Sequence, residues 1–153
     1  PRAPLPQRRL QIIRRLTGAG IPVRVMVAPV IPGLTDPELD PILAAAAEAG
    51  AAGASWIMLR LPLDVTPLFR DWLDRHVPDR AAKVMARVRE VHGGKDYDPD
   101  WGRRMRGEGI WADLIAQRFD LAVKRYGLAK DMPPLRCDLF RPPPQAGEQM
   151  SLF

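Results

Sequence analysis

The residues best placed to do chemistry lie in the turn Val27–Asp36, with the sequence VAPVIPGLTD. The turn follows alternating valines that predict a β-strand over residues 22–30. Parallel α/β folds place their ligand sites at the carboxyl ends of such strands. Pro29 and Pro32 stiffen the turn, and Gly33 permits a tight or positive-φ backbone. By residue type alone, the turn is either an ordinary strand–helix connection or a ligand-binding edge.

The elements around this turn alternate between helix and strand. Apolar spacing predicts an amphipathic helix over residues 7–17, and Thr35 and Glu38 have the spacing of a capping box that opens a second helix. A nearly unbroken apolar run over residues 54–61 predicts a strand buried on both faces, and Pro67 opens a third helix. This order predicts an α/β fold with helices packed outside a parallel sheet.

Two buried parallel strands do not make a stable sheet by themselves. We therefore expect the missing strands to come from another chain or from a longer parent protein, and we favour the parent. The second half predicts helices over residues 79–92 and 110–126, separated by a polar, glycine-rich loop over residues 94–109. The predicted organisation is a strand-containing region over 1–78, a helical extension over 79–128 and a proline-rich tail over 129–153.

Residues 19–36, AGIPVRVMVAPVIPGLTD, resemble the fifth strand and following turn of radical S-adenosylmethionine (AdoMet, or SAM) enzymes, most closely the spore photolyase-like branch. In that superfamily the stretch often follows a G-x-I-x-G-x-x-E pattern that supports the adenine of AdoMet. The pattern falls here on Pro29, Ile31, Gly33 and Asp36. Ile31 and Gly33 match, whereas Pro29 replaces the first glycine and Asp36 replaces the glutamate.

Two further stretches extend the resemblance over nearly all of the chain. Residues 54–62, ASWIMLRLP, resemble the sixth strand, and residues 68–109 resemble the C-terminal extension of a bacterial subgroup of uncharacterised radical AdoMet proteins. The implied fold is the C-terminal part of a partial (βα)6 barrel with a helical C-terminal extension. The resemblance also implies an AdoMet-binding set: Ala28, Pro29, Ile31, Gly33, Asp36, Arg60, Leu61 and Pro62.

The resemblance implies an enzyme that reductively cleaves AdoMet at a [4Fe–4S] cluster to start radical chemistry. In the family, three thiolates of a C-x-x-x-C-x-x-C loop hold this cluster. The chain has one cysteine, Cys137, which we interpret as a bystander rather than a ligand. We therefore predict no metal ligands in this chain and assign catalysis to the parent, with the catalytic residues left unassigned.

Charged residues outside the turn allow more than one interpretation. Arg60 interrupts a buried apolar run, so we expect it either to contact AdoMet or substrate or to pair with a helix carboxylate. The loop over residues 94–109 mixes cations with Tyr97 and Trp101, a mixture that can stack bases, but its four acids weaken the field. We predict a solvated loop that packs Trp101 against the body. The remaining candidates are predicted to be solvated, capping or helix-face residues: Asp71, Asp74, His76, His92, Asp98 and Asp100.

The last five residues form a separate motif, QMSLF: Gln149, Met150, Ser151, Leu152 and Phe153. An apolar tip after a Pro/Gly-rich segment is costly in water unless it docks on a surface. The run resembles the bacterial sliding-clamp-binding pentapeptide, commonly Q-L-[SD]-L-F, with Met150 as its single replacement. It predicts either clamp binding or an apolar contact with the protein's own body.

Composition limits the class of protein. The net charge of +5 permits a DNA partner, and one cysteine excludes a disulfide framework. No apolar run has the length of a membrane span and no signal peptide opens the chain, so we expect a cytoplasmic bacterial protein without a membrane partner. Three hypotheses follow: part of a radical AdoMet enzyme acting on DNA, a non-catalytic basic module recruited to the clamp, and an α/β-barrel fragment that does not use AdoMet.

Overall fold

The computed structural model describes residues 3–132, 134 and 137–143. In this part of the chain, five α-helices and two strands follow one another as α1 (Pro6–Gly18), β1 (Arg24–Val30), α2 (Leu39–Glu48), β2 (Gly53–Met58), α3 (Val65–His76), α4 (Pro78–Val91) and α5 (Ile110–Arg125). Two short 3-10 helices cover Asp36–Glu38 and Cys137–Leu139. The mixed α/β class and the predicted order of elements are therefore confirmed.

Most predicted boundaries differ from the structure by one or two residues, and two differences bear on the site. The strand expected over residues 54–61 ends at Met58, which pairs with Val30, the last residue of β1. The helix expected to open at Pro67 begins at Val65. Pro67 is tolerated in the first turn because the backbone N–H groups there have no partner within the helix.

The predicted capping box is wrong. Neither Thr35 nor Glu38 caps a helix through its side chain. Instead, the Thr35 Oγ1 accepts a hydrogen bond from the Ile31 backbone N–H at 2.9 Å. The hydroxyl therefore stabilises the turn before the helix instead of capping the helix. A threonine side chain in a turn can bond to a nearby backbone N–H group, and this bond competes with capping.

The two strands form a parallel sheet with one covered face. Val25 lies opposite Ala54 and Val27 lies opposite Trp56, so all four side chains share a face. Helices α1, α2 and α5 pack on this face and complete the larger core. Its buried helical members include Ile13, Leu39, Leu43, Ala46, Ile115 and Phe119.

The opposite face of the sheet is largely open in the described chain. Met26 lies opposite Ser55 on this face, and the Met26 side chain is 57% exposed. Ala28, on the same face of β1, is also exposed. An apolar strand face left in water indicates a surface that another element or a ligand covers.

Helices α3 and α4 pack against each other beneath the carboxyl ends of the strands. They enclose a second core, formed by Leu59, Leu61, Leu73, Ala81, Val84, Met85 and Val88. Ile31 and Leu34, from the turn after β1, pack against this core. The helix pair therefore supports the turns that follow both strands.

The outer edge of β2 is partly paired. The Ala54 N–H donates to the Ala129 carbonyl at 3.0 Å, and the Met58 N–H donates to the Met105 carbonyl at 2.8 Å. Among the described residues, no strand pairs with the other edge of β1. None of the described helices has the length and apolar character needed to cross a membrane.

The larger core generates a stability prediction. Leu43 on α2 is fully buried, whereas the neighbouring Ile42 is 38% exposed. We expect Leu43→Ala to lower the free energy of unfolding by about 2–5 kcal/mol, because it removes buried methyl groups and leaves a cavity. Ile42→Ala, the matched control, should lower it by about 1 kcal/mol or less. Urea denaturation of the complete product of the open reading frame measures both, and equal losses would contradict this packing.

Candidate functional site

The turns after β1 and β2 meet at the carboxyl end of the sheet. The Leu59 N–H donates to the Val30 carbonyl at 2.9 Å and holds the two strand ends side by side. The segment containing Pro29, Ile31 and Gly33 therefore lies beside the segment Arg60–Pro62. The structure brings together the two segments that the sequence assigned to one site.

The first turn is closed by its own hydrogen bonds. The Ile31 carbonyl accepts bonds from the N–H groups of Leu34 and Thr35, both at 3.0 Å. Gly33 has φ +74°, a backbone conformation that costs a residue with a side chain about 1–2 kcal/mol. Arg80 on α4 donates to the Gly33 carbonyl. The turn is thus fixed both internally and to the helix pair beneath it.

Asp36 anchors this turn from inside the protein. The residue is 5% exposed, and its Oδ1 accepts a hydrogen bond from the Gly33 N–H at 2.6 Å. Its Oδ2 lies 3.1 Å from the Arg118 Nη1 on α5. Because both carboxylate oxygens have partners in the protein, Asp36 shapes the turn and connects it to α5.

The predicted AdoMet-binding residues differ in accessibility. Ala28 and Pro29 are exposed, and Ile31, Gly33, Arg60 and Pro62 are partly buried. The Leu61 side chain is 1% exposed and belongs to the second core. The accessible side chains of the set are therefore mostly apolar, with Arg60 as the cation.

Arg60 follows β2 and retains an unused donor. Its Nη2 donates to the Tyr97 hydroxyl at 3.3 Å, while its Nε is buried without a partner in the described part of the chain. No described carboxylate forms an ion pair with Arg60, so the expected salt bridge to a helix is not observed there. On the open face of the sheet, the Ser55 Oγ is likewise buried without a described partner. Buried polar atoms without a hydrogen-bond partner are uncommon in proteins. Where they occur, they often mark a site that binds a ligand or water.

A cleft of about 490 Å³ lies along the outer edge of β2. Its walls include Ser55 and Trp56 on the strand, Arg106 from the following loop, and Asp113 and Phe119 on α5. The Arg106 guanidinium lies over the Trp56 ring, with its Cζ 4.8 Å from the ring centroid. None of the eight residues that the resemblance assigns to AdoMet lines this cleft, whereas Ser55 does.

Two predictions about aromatic side chains are wrong. Trp101 does not pack against the body but is 82% exposed. His92, predicted to lie on a helix face, instead follows the end of α4; it is 1% exposed, and its Nε2 lies 2.9 Å from the Leu59 carbonyl oxygen. Helical periodicity predicts which face of a helix a residue occupies. It does not predict the burial of side chains beyond the end of the helix.

The described residues do not fit a [4Fe–4S] cluster. No group of three or more His, Cys, Asp or Glu residues in this part of the chain is arranged to hold a metal ion, and Cys137 is exposed. Any cluster ligands would therefore come from residues outside the described part. The tail motif Gln149–Phe153 also lies outside the described residues.

The chain is similar to three mycobacterial proteins. An uncharacterised protein of Mycobacterium bovis and uncharacterised proteins of two Mycobacterium tuberculosis strains are each 39% identical to it over 116 residues. The matched region covers 74% of this chain but 33% of each relative, so the chain spans about a third of the length of the curated relatives it matches. No protein-family profile matches the chain. No solved structure matches it either.

The turn after β1 generates a second prediction. An alanine Cβ at Gly33 would meet the Arg87 Cγ at 3.7 Å, an ordinary contact, so the cost of substitution is set by φ. We expect Gly33→Ala to lower the free energy of unfolding by about 1–2 kcal/mol. Gly18→Ala is the control, because Gly18 ends α1 with negative φ and nothing within 4 Å of the added Cβ. It should be neutral or slightly stabilising, and similar urea midpoints for the two variants would refute the assigned turn.

Proposed function

We propose that this chain is the C-terminal part of a radical AdoMet enzyme of the spore photolyase-like branch. The observation that carries the proposal is the joint placement of the two predicted segments. Pro29–Gly33 spans the end of β1 and Arg60–Pro62 follows β2, at the end of paired parallel strands where α/β barrels hold their ligands. The resemblance assigned these same two segments to the adenine of AdoMet.

The one-sided covering of the sheet supports a barrel. Helices cover the face with Val27 and Trp56, while Met26 and Ala28 on the other face are exposed. In a βα barrel the helices lie outside and the inner strand face encloses the interior. The open edge of β1 is where a preceding parallel strand would pair, and we propose that the parent supplies it.

The chemistry of the exposed residues suits AdoMet. Ala28, Pro29 and Ile31 offer apolar surface for an adenine, and the unpartnered Arg60 Nε and Ser55 Oγ offer polar contacts for the remainder of the molecule. In this proposal these residues bind and orient AdoMet. A [4Fe–4S] cluster held by residues outside the described part would supply the electron that cleaves it.

A DNA lesion is the proposed substrate class. The spore photolyase-like resemblance, the net charge of +5 and the clamp-like tail all point in this direction. Because the chain spans a third of its relatives, the activity belongs to the whole protein rather than to these residues alone.

The proposal is tested with the complete product of the open reading frame, expressed without oxygen, reconstituted with iron and sulfide, and reduced with dithionite. We expect chromatography to detect 5′-deoxyadenosine released from AdoMet. Ala28→Phe should reduce this release at least roughly tenfold, because a phenyl ring at the open end of β1 would occupy the volume proposed for the ligand.

Ala82→Phe, at an exposed position of α4, is the matched control and should leave the release unchanged. Full release from the Ala28→Phe variant would reject this face as the AdoMet site. A product that binds neither iron nor AdoMet would reject the enzyme assignment and favour an α/β-barrel fragment with other chemistry.

The tail motif favours a second candidate function, a basic module recruited to the bacterial sliding clamp. Its match with the clamp-binding pentapeptide at Gln149, Ser151, Leu152 and Phe153 is the specific observation. We expect the double variant Leu152→Ala/Phe153→Ala to abolish binding to immobilised clamp, because it removes both apolar side chains that would fill the pocket. Met150→Leu should preserve or strengthen binding, and retention by the double alanine variant would exclude the tail as the contact.

A further inference from the structure

Trp101 is the most exposed of the four tryptophans. The residue is 82% exposed, although a large apolar side chain in water gives up the free energy that burial would provide. The Arg104 guanidinium covers one side of the ring, with its Cζ 3.6 Å from the centroid. The rest of the residue is open to solvent. A second planar group could therefore stack on the uncovered side of the ring.

The loop holds Trp101 outward through a fixed framework. Arg103 pairs with Asp98 at 3.2 Å and with Glu108 at 3.2 Å, and the carboxylates of Asp98 and Glu108 raise the pKa of Arg103. The Asp98 Oδ1 accepts a hydrogen bond from the Asp100 N–H, and the Arg104 N–H donates to the Asp100 carbonyl at 2.8 Å. These contacts lie on both sides of Trp101 in the chain and fix the backbone there. Trp101 is therefore exposed although the loop around it is well connected.

The same loop borders the carboxyl end of the sheet. The Met105 carbonyl accepts a hydrogen bond from the last residue of β2, and the Tyr97 hydroxyl accepts one from Arg60. Trp101 therefore belongs to a segment attached at both ends to the edge where the candidate site lies.

The loop that carries Trp101, together with the side chains that contact it, has an excess of cations. The loop and the side chains that contact it carry more cations than carboxylates: Arg60, Arg70, Arg89, Lys95, Arg103, Arg104 and Arg106 against Asp96, Asp98, Asp100 and Glu108. The carboxylates are largely engaged, since Asp96 pairs with both Arg70 and Arg89 and Asp98 is 8% exposed. In the described part of the chain, Lys95, Arg104 and Arg106 form no ion pair with a carboxylate. Such free cations attract phosphate groups.

We propose that Trp101 and Arg104 form a stacking platform for an unpaired base of single-stranded nucleic acid. A base has the flat π surface that matches the open indole, and the phosphates of the strand match the cations of the same loop. A protein interface would need a contiguous apolar patch, whereas the neighbours of Trp101 in the chain are Asp100, Gly102 and Arg103. The platform deepens the proposed function by naming a surface that would bind the nucleic acid, and it rests on that function only for the assignment of this edge to catalysis.

The test is fluorescence anisotropy with the complete product of the open reading frame and a labelled 15-nucleotide oligothymidylate at low salt. Trp101→Ala should weaken binding roughly 5- to 150-fold, the range expected for loss of one stacked base. Trp101→Phe should stay within about fivefold of the wild type, because it keeps an aromatic face. Arg104→Ala should weaken binding roughly two- to fivefold.

The controls separate stacking from other causes. Trp72→Ala removes another exposed tryptophan, on α3, and should leave oligonucleotide binding unchanged. A duplex of the same length should bind more weakly, because its bases are already stacked. Thermal melting of each variant confirms that the protein remains folded.

Three outcomes would overturn the platform: no oligonucleotide binding by the wild type, equal binding by Trp101→Ala, or an equal loss in Trp101→Ala and Trp101→Phe. Loss of self-association in Trp101→Ala, measured by sedimentation without any effect on oligonucleotide binding, would identify a protein interface instead. Release of 5′-deoxyadenosine is measured separately without nucleic acid. AdoMet cleavage without oligonucleotide binding would reject the platform alone, and binding without cleavage would reject only the proposed enzymatic function.

Discussion

The parallel pairing of β1 with β2 is the constraint on which the rest of the structure depends. It places Val25 beside Ala54 and Val27 beside Trp56, and so builds one apolar face that the helices cover. Both strands therefore end at the same edge of the sheet. The Leu59 N–H donates a hydrogen bond to the Val30 carbonyl at that edge, and this bond holds the segments Pro29–Gly33 and Arg60–Pro62 side by side.

Among the described residues, helices on two sides stabilise this edge of the sheet. The second core, between α3 and α4, receives Ile31 and Leu34 from the first turn and Leu61 from the second. Asp36 connects the first turn to α5 through Arg118. Asp36 is buried and each of its carboxylate oxygens has a partner. Removal of either partner would leave a buried oxygen without a hydrogen bond and would lower stability. The turn backbone is therefore preorganised before any ligand arrives.

Two tryptophans in similar contact with an arginine differ in burial. Trp56 is 3% exposed, contacts Phe119 in the core and has the Arg106 guanidinium over its ring. Trp101 contacts an arginine in a similar way, yet its loop is held so that the ring remains in solvent. The difference comes from the backbone framework around Asp98 and Arg103, since both rings have the same intrinsic preference for burial. A rigid loop with an exposed aromatic residue is typical of a binding surface.

The sequence by itself determined the order of helices and strands, because periodicities of 2 and 3.6 are properties of neighbouring residues. It also determined that one cysteine, Cys137, cannot provide the thiolates of a cluster, and that Gly33 suits a positive-φ turn. Only the tertiary structure decided that Asp36 pairs with Arg118, 82 residues away, that His92 is buried against Leu59, and that Trp101 faces water. These outcomes depend on contacts between distant segments, and local patterns carry no information about which distant partner a side chain meets.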